Sequence, residues 1–209
     1  MVQSIKKERP TLTDYARLRM KGILDPIGRF LNRLGVLPNT MTFLGLFGHM
    51  LSAFFLAQGR MTAGGLVILV LAPVDALDGT MARLRGEPSH WGGFVDSVVD
   101  RYSELIILGG LLYYYLIQGD VAASFLVYLA ASGSVLVSYV RARAQSLGFD
   151  VKIGMFTRLE RYLVLVPALV LNFPFYGMAI LAVGAHLTAL QRIFSMRRQA
   201  HVEGVERKA

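Results

Sequence analysis

Four aspartates occur close together in stretches that are otherwise strongly apolar, and they are Asp75, Asp78, Asp96 and Asp100. A carboxylate costs about 2.5–3.5 kcal/mol at the centre of a bilayer and less near its surface, so acids in such stretches indicate a functional site. Four neighbouring carboxylates repel one another, and two divalent cations would neutralise them. Oxygen ligands without histidine or cysteine favour Mg²⁺ or Mn²⁺. The acids therefore predict a site for two such ions.

Helical spacing would arrange these acids in two rows, because positions separated by three, four or seven residues share one face of a helix. The first row consists of Asp75, Asp78 and Ala82, and the second of Gly92, Asp96 and Asp100. The short polar segment RGEPSH between them predicts a tight turn, so we expect antiparallel neighbouring helices whose rows face each other. Gly79 and Gly93 leave room for a ligand beside the acids, although close helix packing explains such glycines equally well.

The helices that carry these rows belong to a membrane protein. The 209 residues are 54% hydrophobic and only 17% charged, and windows of about 20 apolar residues mark membrane spans. Six such windows lie at 39–58, 62–83, 92–116, 121–141, 159–173 and 175–195. Ahead of them, residues 11–35 mix apolar with basic side chains, as in a helix that lies in the headgroup plane. We expect an all-α integral membrane protein with six transmembrane helices preceded by an N-terminal interfacial amphipathic helix.

The distribution of basic residues predicts the orientation. Six spans put both termini on one side, and all of the 22 Lys and Arg residues except Arg60 fall on that side. By the positive-inside rule it is the cytosolic side. We therefore expect a multi-pass protein of the cytoplasmic membrane, with the acids and both termini facing the cytosol. Its parts would be a cytosolic N-terminus with the interfacial helix (1–38), a six-helix transmembrane catalytic domain (39–197) and a cytosolic C-terminal tail (198–209).

The net charge of +8 indicates an anionic partner. The basic residues lie beside apolar spans rather than on a soluble domain, which favours membrane lipids or a phosphorylated substrate and argues against nucleic acid. The chain has no cysteine, so neither disulfides nor thiolate metal sites are available.

The acids and their neighbours form a longer pattern, Asp75-x2-Asp78-Gly79-x2-Ala82-Arg83-x8-Gly92-x3-Asp96-x3-Asp100. At all eight fixed positions it resembles the signature of the CDP-alcohol phosphotransferase (CDP-alcohol phosphatidyltransferase) family, integral membrane enzymes of phospholipid biosynthesis. The segment LPNTMT before the first span and the expected helix arrangement also resemble this family. The resemblance implies that CDP-diacylglycerol or CDP-archaeol is the donor. An acceptor hydroxyl would attack the phosphorus that bears the lipid alcohol, and CMP would leave. The resemblance also implies a homodimer.

The resemblance assigns roles by position in the pattern. The metal ligands would be Asp75, Asp78, Asp96 and Asp100, and Asp100 would also be the general base. The residues that would shape or contact the nucleotide site are Gly79, Ala82, Arg83 and Gly92. At the start of the first span, Asn39 and Thr42 fit either a helix cap or a further nucleotide contact.

Arginines at the cytosolic ends of three spans bear on the acceptor. Arg141, Arg158 and Arg192 would suit a phosphate monoester, because guanidinium groups bind phosphate with bidentate hydrogen bonds. Anchoring at lipid phosphates is the alternative for each of them. Their placement resembles the phosphatidylinositol-phosphate synthase and archaetidylinositol-phosphate synthase branch of the family, which implies inositol 1-phosphate. Arg141 stands where many relatives have lysine, and Leu159 where some have proline. Glycerol 3-phosphate, as in phosphatidylglycerophosphate synthases, therefore stays open.

Three other classes of protein compete with this interpretation. An intramembrane prenyltransferase also uses acids and Mg²⁺-diphosphate, but with separate motifs on a larger set of helices. A divalent-cation transporter needs buried acids but does not need Arg83. A structural scaffold has no reason to carry four acids. The pattern therefore favours an enzyme of phospholipid biosynthesis.

Overall fold

The computed structural model of the protein describes the backbone of residues 12–86 and 89–206, and their side chains apart from those of 12–20, 72–73, 75, 203 and 205–206. This part of the chain is helical and contains no strand, so the all-α prediction is confirmed. The helices are α1 (Leu12–Arg33), α2 (Pro38–Ala57), α3 (Met61–Arg85), α4 (His90–Ile117), α5 (Val121–Ser146), α6 (Arg158–Val170) and α7 (Pro174–Glu206).

The turn between α3 and α4 is built by its own residues. Gly86 ends α3 in the left-handed conformation, with φ 71°, which costs glycine little because it has no Cβ. Ser89 then caps α4, because its Oγ accepts a hydrogen bond of 2.9 Å from the backbone N–H of Gly92. The predicted turn between the two acid-bearing helices is therefore confirmed at both of its ends, while residues 87–88 lie outside the described part.

The main core occupies the half of the bundle that is distant from the acids. Its members come from the C-terminal ends of α2, α4 and α6 and the N-terminal ends of α3, α5 and α7, and include Leu56, Met61, Leu111, Val127, Leu169 and Met178. All six are almost completely buried. One end of the bundle is therefore closely packed by apolar side chains, and the acidic residues of the two rows lie at the other end.

Helix α1 is fastened to the acid-bearing end of α3. Leu24 is buried there, and a Cβ on Gly28 would lie 3.2 Å from Leu84 Cδ1. Arg85 also donates hydrogen bonds of 2.7 Å to Asn32 Oδ1 and 2.6 Å to the carbonyl of Val36. These contacts fix the chain that leads from α1 into α2 against the end of α3.

Within the described part of the chain, four helices are long and apolar enough to cross a membrane, and they lie at Pro38–Ala57, Met61–Arg85, Val121–Ser146 and Pro174–Val202. Helix α4 has 28 residues but carries charged side chains in its first half, whereas α6 has only 13 residues. At about 1.5 Å per residue α6 spans roughly 20 Å, less than the thickness of the hydrocarbon core. The predicted fifth span, 159–173, is too long for this helix, because α6 ends at Val170 before Asn172 turns the chain with φ 61°.

Candidate active site

The two helices that carry the acids are joined by a short turn but do not pack closely on each other. In the described part, the closely packed helix pairs include α2–α3 and α2–α4 but not α3–α4. The expectation that α3 and α4 are direct neighbours was therefore wrong. The reason lies in small residues at both contacts of α2. Gly48 of α2 receives Leu71 of α3, and Gly110 of α4 approaches the backbone of Ala53 on α2 so closely that a Cβ would lie 2.5 Å from its carbonyl oxygen.

Asp78 lies on α3 and is 8% exposed. Its Oδ2 accepts a hydrogen bond of 2.6 Å from the hydroxyl of Thr42, which is itself buried in the first turns of α2. A buried carboxylate is costly unless hydrogen bonds satisfy it, so this bond fixes the orientation of Asp78. The alternative role of Asn39 and Thr42 as helix caps is wrong, because Leu37 occupies the N-cap position of α2 without a side-chain cap bond.

Replacing Thr42 with valine would test this contact. Valine has nearly the same shape but no hydroxyl, so the carboxylate of Asp78 would lose the donor that orients it. Partners that orient metal ligands are worth about 10–100-fold in metal affinity, and we expect Mn²⁺ binding to Thr42→Val, measured by titration calorimetry, to weaken by that factor. Thr42→Ser keeps the hydroxyl and should bind Mn²⁺ normally. Equal affinity of the two variants would contradict the proposed orienting role.

Two glycines at this end of the bundle lie against charged and polar side chains. A Cβ on Gly79 would lie 3.6 Å from the guanidinium of Arg83, one turn later on α3. A Cβ on Gly92 would lie 3.0 Å from Ser89 Oγ and 3.9 Å from Asn39 Oδ1, so α2 and α4 meet here. Ala82 is half-buried on α3. The structure thus brings Asn39 beside Gly92, and Gly79 beside Arg83, two pairs among the residues expected at the nucleotide site.

Asp100 contacts an arginine from a different helix. Arg158, the first residue of α6, donates a hydrogen bond to Asp100 Oδ1 and also lies 5.3 Å from the ring centroid of Tyr162. Asp96 is half-buried one turn before Asp100 on α4. The structure therefore brings together the expected base and one of the three expected acceptor-binding arginines.

The other two expected acceptor arginines lie in different surroundings. Arg192 is 2% exposed, and it donates hydrogen bonds of 2.6 Å to the carbonyl of Val137 on α5 and 2.9 Å to the carbonyl of Ile153. It therefore holds the connection between α5 and α6 in place. Arg141 is exposed one turn after Val137 on α5.

Two charged neighbours of Asp100 were not predicted. Arg101 Nη1 lies 3.4 Å from Asp100 Oδ2, and Glu104 is paired with Arg161 one turn further along α4. Glu104 continues the i, i+4 row of Asp96 and Asp100, so the spacing alone could have indicated it. Arg101 lies off that row, and no sequence signal pointed to its contact.

The donor chemistry of this end of the bundle fits a hard divalent cation. The acids of the two rows supply carboxylate oxygens, the ligands that Mg²⁺ and Mn²⁺ prefer. Among the described side chains, no three acidic or histidine groups lie close enough to hold one metal ion, and the side chain of Asp75 lies outside that set. The acids are thus suitable in type, and two of them, Asp78 and Asp100, are oriented by hydrogen bonds from Thr42 and Arg158.

Comparison with known proteins shows the family of this chain. The family model described as CDP-alcohol phosphatidyltransferase matches residues 35–190. The chain is 35% identical to a phosphatidylinositol phosphate synthase of Streptomyces avermitilis, over 90% of this chain and 84% of that protein. It is also 35% identical to an archaetidylinositol phosphate synthase of Pyrococcus horikoshii, over 88% of this chain and 95% of that protein.

A similar solved structure is that of Mycobacterium tuberculosis phosphatidylinositol phosphate synthase with CDP-DAG bound. It has a TM-score of 0.78 and 29% sequence identity, over 83% of this chain and 93% of that chain. The same mycobacterial enzyme in complex with manganese and citrate matches with a TM-score of 0.78 and 28% identity, over 83% of this chain and 88% of that chain. The chain belongs to the CDP-alcohol phosphatidyltransferase family.

Proposed function

We propose that this enzyme transfers the phosphatidyl or archaetidyl group of a CDP-linked lipid to the hydroxyl of inositol 1-phosphate, giving an inositol phosphate phospholipid and CMP. The donor would be CDP-diacylglycerol or its isoprenoid counterpart CDP-archaeol. Relatives at 35% identity are named as phosphatidylinositol phosphate and archaetidylinositol phosphate synthases, and a structural neighbour holds CDP-DAG. These names favour inositol phosphate over glycerol 3-phosphate.

The contact between Arg158 and Asp100 carries the assignment of the acceptor site. A guanidinium has five N–H donors in a planar fork, enough for a carboxylate and a phosphate together. An acceptor whose phosphate is bound by Arg158 would have its hydroxyl next to the carboxylate of Asp100. Such positioning of a reacting group beside a base removes much of the entropic barrier to the reaction.

Asp100 would act as the general base. One carboxylate oxygen of Asp100 would take the proton of the acceptor hydroxyl, while the hydroxyl oxygen attacks the phosphorus bearing the lipid alcohol. The bond from this phosphorus to the CMP oxygen would break, and CMP would leave with the electron pair. Arg83 would contact the cytidine nucleotide, and the absence of side chains at Gly79 and Gly92 would let the nucleotide approach the backbone there.

Two Mg²⁺ ions, replaceable by Mn²⁺, would be held by the four acids of the two rows. These are Asp75, Asp78, Asp96 and Asp100. When bound, the ions would clamp the diphosphate and stabilise the charge on the departing CMP. The donor chemistry of the acids supports this assignment, as does the manganese in a structure of the mycobacterial relative.

We propose that α4 and α6 complete a six-span arrangement with the four apolar helices. The connection before α6 would lie at the cytosolic edge of the bundle, because its charged residues Asp150 and Lys152 are exposed. It is nevertheless attached firmly to the bundle. Val151 is completely buried, and carbonyls at Ile153 and Phe156 accept hydrogen bonds from arginine side chains of α7 and α6.

Helix α1 would lie at the membrane surface. One of its faces packs on α3, and Ile23, Ile27 and Phe30 are exposed on another, near the exposed Arg29 and Arg33. Apolar side chains beside basic ones suit the headgroup region. The transmembrane catalytic domain would comprise residues 39–197, with the site and both termini facing the cytosol. Helix α7 runs through the expected boundary at 197 to Glu206, so the tail begins as helix. As the family resemblance implies, the enzyme would act as a homodimer in the cytoplasmic membrane.

Release of CMP tests the proposed reaction. Purified enzyme in detergent with CDP-diacylglycerol and inositol 1-phosphate should release CMP, and EDTA should abolish the release because the acids would lose the ions that bind the diphosphate. Mg²⁺ or Mn²⁺ added in excess should restore it. Undiminished release of CMP in chelator would contradict the metal-dependent mechanism.

A further inference from the structure

A buried ion pair lies one helical turn away from the contact between Asp100 and Arg158. Arg161 Nε donates to Glu104 Oε1 at 2.6 Å, and Arg161 Nη2 donates to Glu104 Oε2 at 2.9 Å. Glu104 is 7% exposed and Arg161 is 3% exposed. Two parallel hydrogen bonds between planar groups fix the relative orientation of the two side chains as well as their distance.

The pair joins the same two helices as the contact at the site. Glu104 follows Asp100 by four residues on α4, and Arg161 follows Arg158 by three residues on α6. Both steps correspond to about one helical turn. The two arginine–carboxylate contacts therefore form successive links between α4 and α6, the first partly open to solvent and the second buried.

Arg161 also fixes the chain just before α6. Its Nη1 donates a hydrogen bond of 3.0 Å to the carbonyl of Phe156, and the N–H of Phe156 donates one of 3.0 Å to Thr188 on α7. Arg158 stands two residues after Phe156, at the start of the helix. The guanidinium of Arg161 thus connects the beginning of α6 to a carboxylate on α4.

Stability alone is a weak reason for such a pair. Apolar side chains of similar volume usually stabilise a protein as well as a buried ion pair, whereas the loss of one partner is costly. A bidentate pair differs from apolar packing because it holds one relative orientation of two helices. The group that this orientation would place is Arg158.

We propose that Glu104 and Arg161 are positioning residues that set the first turn of α6 against α4, so that Arg158 meets the acceptor phosphate beside Asp100. The inference rests on the proposed function, because it takes Arg158 as the residue that binds this phosphate. Neither Glu104 nor Arg161 touches the substrate in this account. Their loss affects acceptor binding through the position of Arg158.

A double-mutant cycle tests the inference. KM is measured separately for inositol 1-phosphate and for CDP-diacylglycerol in the unmodified enzyme, Glu104→Gln, Arg158→Ala and the double variant. The effects of two independent substitutions on KM multiply, whereas effects that act through a shared residue do not. Glu104→Gln should therefore raise the acceptor KM about tenfold in the unmodified enzyme, but less than about twofold in the Arg158→Ala background. The KM for CDP-diacylglycerol should stay within about twofold in Glu104→Gln, because uniform loss of structure would change both values.

Asp150→Asn is the matched control. It neutralises the acid of an exposed ion pair with Lys152, 2.6 Å long, in the same connection between α5 and α6. Exposed ion pairs contribute little to the stability of a fold, so both KM values should stay unchanged. Arg161→Lys, which keeps the charge but loses the planar fork, replaces Glu104→Gln in the cycle if that variant is not recovered folded. If neither variant folds, the pair serves folding alone and the inference is wrong.

The outcomes separate this inference from the proposed function. An unchanged acceptor KM in Arg158→Ala would overturn the acceptor site, and the positioning role with it. In a second outcome, Arg158→Ala raises the acceptor KM while Glu104→Gln raises it by the same factor in the unmodified enzyme and in the Arg158→Ala background. That result would overturn the positioning role only. An equal rise in the KM for CDP-diacylglycerol would also overturn it. A second readout is the rise in melting temperature caused by inositol 1-phosphate, which should be reduced in Glu104→Gln.

Discussion

Asp100→Asn is expected to lower kcat by about 10²–10⁴-fold, the range that a positioned general base contributes. Asparagine keeps the shape of the side chain and can still accept a hydrogen bond from Arg158. It cannot take the proton of the acceptor hydroxyl. The KM for the CDP-lipid is expected to change less than kcat, because three other acids of the two rows would still bind the ions that hold the diphosphate. Initial rates of CMP release measure both quantities.

The same substitution at the far end of the bundle provides the control. Asp120 caps α5 by accepting a hydrogen bond of 2.9 Å from the N–H of Ala123, and asparagine caps helices about as well as aspartate. Asp120→Asn should therefore keep normal turnover. A kcat near normal in Asp100→Asn would remove Asp100 from the role of base. A loss of activity in both variants would point to a general effect of the substitution.

Arg158→Ala is expected to raise the KM for inositol 1-phosphate by about 10–100-fold, because hydrogen bonds to charged groups are worth about 1.5–3 kcal/mol. Arg158 contacts Asp100 from α6, and alanine would remove the guanidinium that we propose binds the acceptor phosphate. Arg158→Lys keeps a charge but not the bidentate fork, and we expect an intermediate KM. Kinetics at saturating CDP-diacylglycerol give these values.

Arg60→Ala serves as the control for the loss of one positive charge. Arg60 is exposed next to the start of α3, at the end of the bundle opposite to the site. Its removal should leave the KM for inositol 1-phosphate unchanged. If Arg60→Ala and Arg158→Ala raise this KM equally, the effect comes from net charge and Arg158 has no specific role.

The local features of the site could be predicted because they depend on helical spacing. Asp96 and Asp100 lie one turn apart on α4 as expected, and the turn before this helix begins at Gly86 and ends at the Ser89 cap. The same spacing extends to Glu104. Glu104 lies outside the family pattern, and its partner Arg161 lies 57 residues away in the sequence.

The packing around the site could not be predicted from these patterns. Helix α2 packs against both acid-bearing helices, with Gly48 facing α3 and Ala53 facing α4. The sequence does not indicate which neighbour each of these residues faces. The bond between Thr42 and Asp78 joins residues 36 positions apart. The position of Arg192 near the end of a span is compatible with a phosphate contact. It is equally compatible with the hydrogen bonds to the carbonyls of Val137 and Ile153 that the structure contains. Only the fold decides between these environments.

The most direct test of the proposed activity is a competition between acceptors. Purified enzyme is given CDP-diacylglycerol, Mg²⁺ and equal concentrations of inositol 1-phosphate, inositol, glycerol 3-phosphate and serine, and the lipid products are identified by mass spectrometry. We expect phosphatidylinositol phosphate as the main product, formed in equal amount with CMP, and no phosphatidylinositol. Formation of phosphatidylglycerol phosphate as the main product would replace inositol 1-phosphate with glycerol 3-phosphate. A preference for inositol or serine would contradict the binding of an acceptor phosphate by Arg158.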